Sequence, residues 1–411
     1  MKSPFYQYIA LLLCSTAGAY GLSLYDTAPA IGLPESHAAT YSANWHFGYD
    51  SNPNTSYGSY GNRSKKGSAY TGAGLSTSFS DIESVDRITY SARLGANYYF
   101  NSNQQSGANA GQKWSADCGL TANMSHSFSA QSQNTTSVSL TFRPEPEYDD
   151  AYSNQGRQGD CFTWNINDSY SQAIDSRWSW HIGGNYSGTK YTSGSSTGWN
   201  DNRQYGSGNA GISYRESDRT SYTLDFNGRQ ESRTYGVNTQ SYTSTIGVNH
   251  SLTPVSSMNL SVGIQAKVFK SDIQCSPTLS AGYNRTVTEG LSVSSYAHFS
   301  NENTDSYRGY GSSYKNVYTW RVGVRCNYIL TPVVSYNFGT SLYTSQYGGG
   351  QNGMAKEDRI TYDFTAGMSY KFTEKLNGNI NVKFDHSNYN RANGKYSYNR
   401  VNTSCGLSYS F

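Results

Sequence analysis

Few residues in this 411-residue sequence are of a type that does chemistry, and their spacing decides what that chemistry could be. The seven histidines stand at 37, 46, 126, 181, 250, 298 and 386, far apart. They form neither a Ser/His/Asp order nor a metal-ligand spacing. Cys14 lies in the N-terminal apolar run. The other five cysteines, at 118, 161, 275, 326 and 405, are an odd and scattered set without C-x-x-C spacing, which makes a poor disulfide framework. Asp363 and Asp385 could pair as acid and base, but Lys371 and Lys383 nearby make an ordinary charge network the simpler reading. The Gly348-Gly349-Gly350 run has no following Lys-Ser and reads as a loop tip, not a phosphate cradle. The residue types therefore give no enzyme site, and no cofactor or metal is implied.

The remaining charges follow a different pattern. Arg321 and Arg325 interleave with Trp320, Val322, Val324 and Cys326. Arg359, Asp363 and Lys371 do the same among Ile360, Tyr362, Phe364 and Phe372. Arg93, Asp117, Asp225, Arg229, Lys267, Lys383 and Asp385 also sit on the polar parity of alternating runs. Alternation with period two is the mark of a strand with one apolar and one wet face. The last run shows it most clearly: Val401, Thr403, Cys405, Leu407, Tyr409 and Phe411 alternate with Asn402, Ser404, Gly406, Ser408 and Ser410.

Such runs recur about eighteen times from Ala39 onward, starting near 39, 69, 88, 114, 136, 161, 178, 204, 220, 239, 258, 277, 291, 316, 334, 359, 376 and 398. The breaks between them alternate in length. Thr253-Pro254-Val255-Ser256, Thr288-Glu289-Gly290, Thr331-Pro332 and Thr373-Glu374-Lys375 are short and rich in turn formers. Segments 51–67, 101–112, 144–159, 193–203, 301–315 and 348–357 are long and rich in Gly, Asn and Ser. Strict up-and-down order then puts the short breaks on one rim and the long ones on the other.

Composition narrows what covers the apolar face. Hydrophobic residues are only 36% of the chain, yet 38 Tyr, 15 Phe and 7 Trp exclude a disordered chain, which would be poor in aromatics. Charged residues are 14%, against about 25% in an average soluble domain, and the net charge is +3 with no basic stripe, so a nucleic-acid partner is not indicated. A sheet this wide with one continuous apolar face must be covered, and the polar parity cannot supply the interior of a sandwich. Lipid covers it if the sheet closes on itself, because hydrocarbon tolerates no unpaired strand edge. The expected fold is all-β: a transmembrane antiparallel up-and-down barrel of about 18 strands (16 to 18), with short periplasmic turns and longer outer loops.

Aromatics near strand ends, at Trp45 to Tyr49, Tyr98 to Phe100, Trp178, Trp180, Tyr409 and Phe411, fit interfacial girdles. His126, Asp168, His250 and Arg285 fall on the apolar parity, each close to a short break where its side chain can reach the interface. Ahead of the barrel (39–411), residues 1–19 read as a cleaved secretory signal ending in Ala17-Gly18-Ala19. Leu13 before Cys14 departs from the small residue that lipid attachment needs. Residues 20–38, with Pro29 and Pro34, read as a periplasmic lead-in or partial plug.

The terminal strand with Leu407, Tyr409 and Phe411 on one face matches the C-terminal assembly signal of bacterial outer-membrane barrels. Trp45-His46-Phe47-Gly48-Tyr49-Asp50-Ser51-Asn52-Pro53 is similar to the Gly-Tyr-Asp-x-Asn opening of the β-barrel porin 2 family. On these motifs the chain resembles outer-membrane β-barrel porins. The resemblance implies an outer-membrane location, lipid and the barrel assembly machinery as partners, and passive transport.

Eighteen strands leave a water-filled lumen. The expected function is a channel for passive diffusion of small hydrophilic solutes, its hydrated wall of mixed charge lined by the twelve ionic residues from Arg93 to Asp385 named above. The acidic run Glu145, Glu147, Asp149 and Asp150 is a candidate constriction loop that would face Arg321, Arg325 and Arg359 if folded inward. An adhesion barrel binding through its outer loops, and a polysaccharide export conduit with Tyr99, Tyr296 and Tyr343 as stacking surfaces, are the alternative readings. The sequence leaves oligomeric state open.

Overall fold

The computed structural model describes residues 37–51, 67–82, 86–100, 114–144, 160–191, 202–234, 238–269, 272–302, 316–348, 357–391 and 394–411. Its strands are β1 (His37–Asp50), β2 (Ser68–Ile82), β3 (Asp86–Tyr99), β4 (Trp114–Ser129), β5 (Ser132–Pro144), β6 (Asp160–Ala173), β7 (Trp178–Tyr191), β8 (Arg203–Arg215) and β9 (Thr220–Arg233). They continue as β10 (Thr239–Thr253), β11 (Ser256–Phe269), β12 (Asp272–Thr288), β13 (Leu291–Glu302), β14 (Asn316–Thr331), β15 (Val334–Gly348), β16 (Glu357–Lys371), β17 (Leu376–Arg391) and β18 (Gly394–Ser410). Each strand pairs with its sequence neighbours, and β1 pairs antiparallel with β18 from Ser42↔Ser410 to Asp50↔Asn402, so the sheet closes as an 18-stranded antiparallel barrel. Closure removes the edge strand, which hydrocarbon would leave unpaired. The expected signal at 1–19 and residues 20–36 of the expected lead-in lie outside the described residues, whereas His37 and Ala38, expected to end that lead-in, open β1.

The partition between inside and outside is the reverse of a soluble protein's. Among the described residues nineteen buried ones are polar or charged and only four are hydrophobic. The exposed face carries Leu75, Leu94, Ile182, Phe226, Ile246, Val262, Ile264, Val324, Phe364 and Ile380, with Ile264 65% exposed. Each side chain of that size left in water forgoes about 1.5–3 kcal/mol, so dozens of them together exceed any ordinary folding stability. An apolar solvent outside the barrel is the consistent resolution.

Several polar groups on the outer face near the short rim are paired there. His126 Nδ1 lies 2.6 Å from Asp86 Oδ1, Thr136 Oγ1 donates to Asp168 Oδ1 at 2.6 Å, and Thr220 Oγ1 lies 2.9 Å from His250 Nδ1. The short-rim turns among the described residues share one local device. In the two-residue turns Ser129, Thr253, Thr288 and Thr331 accept a backbone N–H through their hydroxyls, and the ladder shifts register beside each. In the four-residue turns the Asp175 carboxylate and the Ser217 and Thr373 hydroxyls likewise accept a backbone N–H. A side chain that mimics a turn carbonyl reverses the strand without an unsatisfied donor.

Two details depart from the sequence expectation. Strand β12 begins at Asp272 and runs through Pro277, where the sequence suggests a start. Proline is tolerated there because the ladder with β13 begins only at Leu279↔Phe299, so the missing N–H falls beyond that ladder. The long rim is also less uniform than expected: three of its connections, 234–238, 270–271 and 392–393, span five, two and two residues.

Candidate functional site

The twelve ionic residues expected to line the lumen, Arg93, Asp117, Asp225, Arg229, Lys267, Arg321, Arg325, Arg359, Asp363, Lys371, Lys383 and Asp385, occupy one face of the closed sheet, opposite the exposed apolar residues. The same face carries Asp50, Arg87, Arg203, Arg215, Glu231, Arg233, Glu302 and Arg400, which sequence reading missed. Their parity was available to find them. Most sit at strand ends, where alternation fades and a boundary cannot be fixed to the residue.

Seventeen of the nineteen buried polar residues lie in the half of the barrel nearer the long rim. Three clusters account for most of them. On β8 to β13, Glu231 is 2% exposed and takes Arg233 Nη2 at 2.5 Å, with Arg229 Nη2 at 3.5 Å. The Arg229 guanidinium lies 4.3 Å from the Tyr205 ring centre, and Lys267, 1% exposed, donates to Asn301 Oδ1 at 3.1 Å. Charges this deep persist only when paired and hydrogen-bonded.

On β13 to β17, Arg321 Nη2 donates to Glu302 Oε2 at 2.9 Å. Arg321 and Arg359 lie 5.4 and 5.8 Å from the centre of Tyr343, a ring only 3% exposed. Arg359 Nε donates to Thr361 Oγ1, which in turn lies 2.7 Å from Ser387 Oγ. On β15 to β18 and β1, Ser341 donates to Asp363 at 3.0 Å, Lys383 lies 3.5 Å from Asp385, and Arg400 forks onto both carboxylate oxygens of Asp50. That fork ties β18 to β1 at the seam of the barrel.

Nearer the middle the pairs are looser. Arg93 Nη2 lies 3.2 Å from Asp117, both part-exposed. His181 Nε2 lies 3.3 Å from Asp225 Oδ1 across Gly211 of the intervening strand. A Cβ at Gly211 would collide with both side chains, so glycine is what lets residues two strands apart meet. His46 and Asn97 meet over Gly72 in the same way, at 2.8 Å.

The half nearer the short rim is of another kind. Its wall is Ser76, Ser78, Ser91, Asn123, Ser137, Ser169, Asn249, Asn259, Asn327, Asn337, Asn377, Asn379, Asn381 and Ser408, with glycines between. Arg325 and Lys371 stand exposed there with no protein partner among the described residues. Counted over the whole face, the described side chains include thirteen cations and seven carboxylates.

The acidic run at Glu145, Glu147, Asp149 and Asp150 lies outside the described residues. Leu407, Tyr409 and Phe411 are exposed on the outer face, and the rings of Tyr409 and Phe411 meet edge to face at 5.2 Å. Among the described residues no three His, Cys, Asp or Glu side chains group as a metal site would require.

No family model matches the chain, and neither does any curated protein. Among solved structures it is similar in fold to OccAB3 of Acinetobacter baumannii, at 12% identity and TM-score 0.49 over 91% of this chain and 99% of that one. OpdO of Pseudomonas aeruginosa matches at 13% identity and TM-score 0.47 over 92% and 98%. The siderophore receptor PirA of A. baumannii matches at 6% identity and TM-score 0.48 over 90% and 80%.

Proposed function

We propose that this protein is an outer-membrane channel through which small hydrophilic solutes diffuse passively. One observation carries the reading: an edgeless barrel presents hydrocarbon side chains outward and hydroxyls, amides and ion pairs inward. Lipid is the solvent that suits the first face and water the one that suits the second. The size of the barrel adds to this, since about eight strands leave a side-chain-filled interior and 16 to 18 leave an aqueous one. The exposed Leu407, Tyr409 and Phe411 face supports assembly into the outer membrane through the terminal strand.

The two halves of the wall divide the labour. The Ser, Thr and Asn surface toward the short rim offers hydrogen bonds in place of water, with Arg325 and Lys371 exposed on it. The ionic girdle toward the long rim is the densely packed part of the wall, its charges paired with one another. Of the stacking surfaces a saccharide conduit would use, Tyr343 is buried beside Arg321 and Arg359, while Tyr296 stays 43% exposed on the same face.

Refolded protein in a planar bilayer tests the channel. Stable unit currents are expected. Silence from protein whose heat-modifiable gel shift shows an intact barrel would overturn the reading.

A further inference from the structure

We propose that the lumen prefers anions, so that the solutes it passes most readily are small and negatively charged. This rests on the channel reading above and names the charge class of its solute. Six more cations than carboxylates face the lumen among the described side chains, whereas the chain as a whole carries only +3. The excess therefore belongs to this face in particular. Hydrocarbon outside the barrel holds no counterions, so the field of these fixed charges is compensated by mobile ions inside the lumen.

The pairing of the charges points the same way. Asp50, Asp117, Glu231, Glu302 and Asp385 each lie against an arginine or lysine, and Asp225 lies against His181. Six of the seven carboxylates are thus paired by the wall itself, and the seventh, Asp363, accepts a hydrogen bond from Ser341. Arg325 and Lys371 stand exposed on the open half of the wall, so the charge presented to a passing solute is cationic.

Zero-current potentials across a bilayer with a potassium chloride gradient test this. An anion-over-cation permeability ratio above about 2 is expected at 0.1 M salt. It should fall toward 1 at 1 M, as the screening length shrinks from about 10 Å to about 3 Å. The double variant Arg325→Glu with Lys371→Glu removes four units of the six-unit excess and should bring the low-salt ratio close to 1. A wild-type ratio at or below 1 at low salt, or a double variant with the wild-type ratio, overturns the proposal while leaving the channel intact. Absence of any current from folded protein overturns both.

Discussion

The two halves of the lumen wall are built from the same eighteen strands and solve opposite problems. Toward the short rim, small hydroxyl and amide side chains leave the wall open, and almost nothing is buried. Toward the long rim, Glu231, Lys267, Arg359 and Asp385 are buried, and each is held by hydrogen bonds or opposite charge. The difference teaches that polarity alone does not make a lumen. Stability requires pairing wherever ionic side chains are packed, and openness requires short side chains wherever they are not.

The comparison can be broken most directly in the packed half. Arg233→Met removes the closest ion pair of the buried Glu231 carboxylate, and should lower barrel stability by about 2–3 kcal/mol in denaturant titrations of the gel shift. Asn381→Ala in the open half should change it by less than about 0.5 kcal/mol. Equal effects from the two would erase the distinction.

At the boundary, Gly211→Val drives a side chain into the His181–Asp225 contact and should cost about 1–3 kcal/mol. Gly206→Ala serves as its control, since a Cβ there meets nothing within 4 Å. A smaller effect is expected at the short rim: Thr331→Val removes the acceptor for the Val333 and Val334 amides and should cost about 0.5–1.5 kcal/mol.

The smallest effect concerns pH at the turn after β6. Backbone N–H groups of Arg177 and Trp178 hold the Asp175 carboxyl below the usual range. A carboxylate whose folded value is depressed contributes its stabilisation above the unfolded value and loses it as pH falls through the folded one. Amide exchange at Arg177 and Trp178 should therefore show protection beyond intrinsic rates at neutral pH that is lost in the acid range. Asp175→Asn should flatten that dependence.

Much of this was legible in the sequence, for a definite reason. Period-two alternation is a local property, so the eighteen strands and the parity of Arg93, Arg321 or Asp385 follow from neighbours in the chain. The turn-forming Thr253, Thr288, Thr331 and Thr373 are local for the same reason. Strand ends were less legible: β5 begins at Ser132 and β18 at Gly394, each four residues ahead of its expected start, because pairing extends strands beyond the alternating core.

The sequence by itself determined that a sheet of about eighteen strands exists and which side of it is wet. Only the tertiary structure decided that Asp50 meets Arg400 across the seam, that His181 reaches Asp225 over a glycine, and that Tyr343 is wedged between two arginines. Those contacts join residues one or two strands apart in space and up to 350 positions apart in sequence. Their partners are set by ladder register and by the closure of β1 on β18, which no single strand encodes.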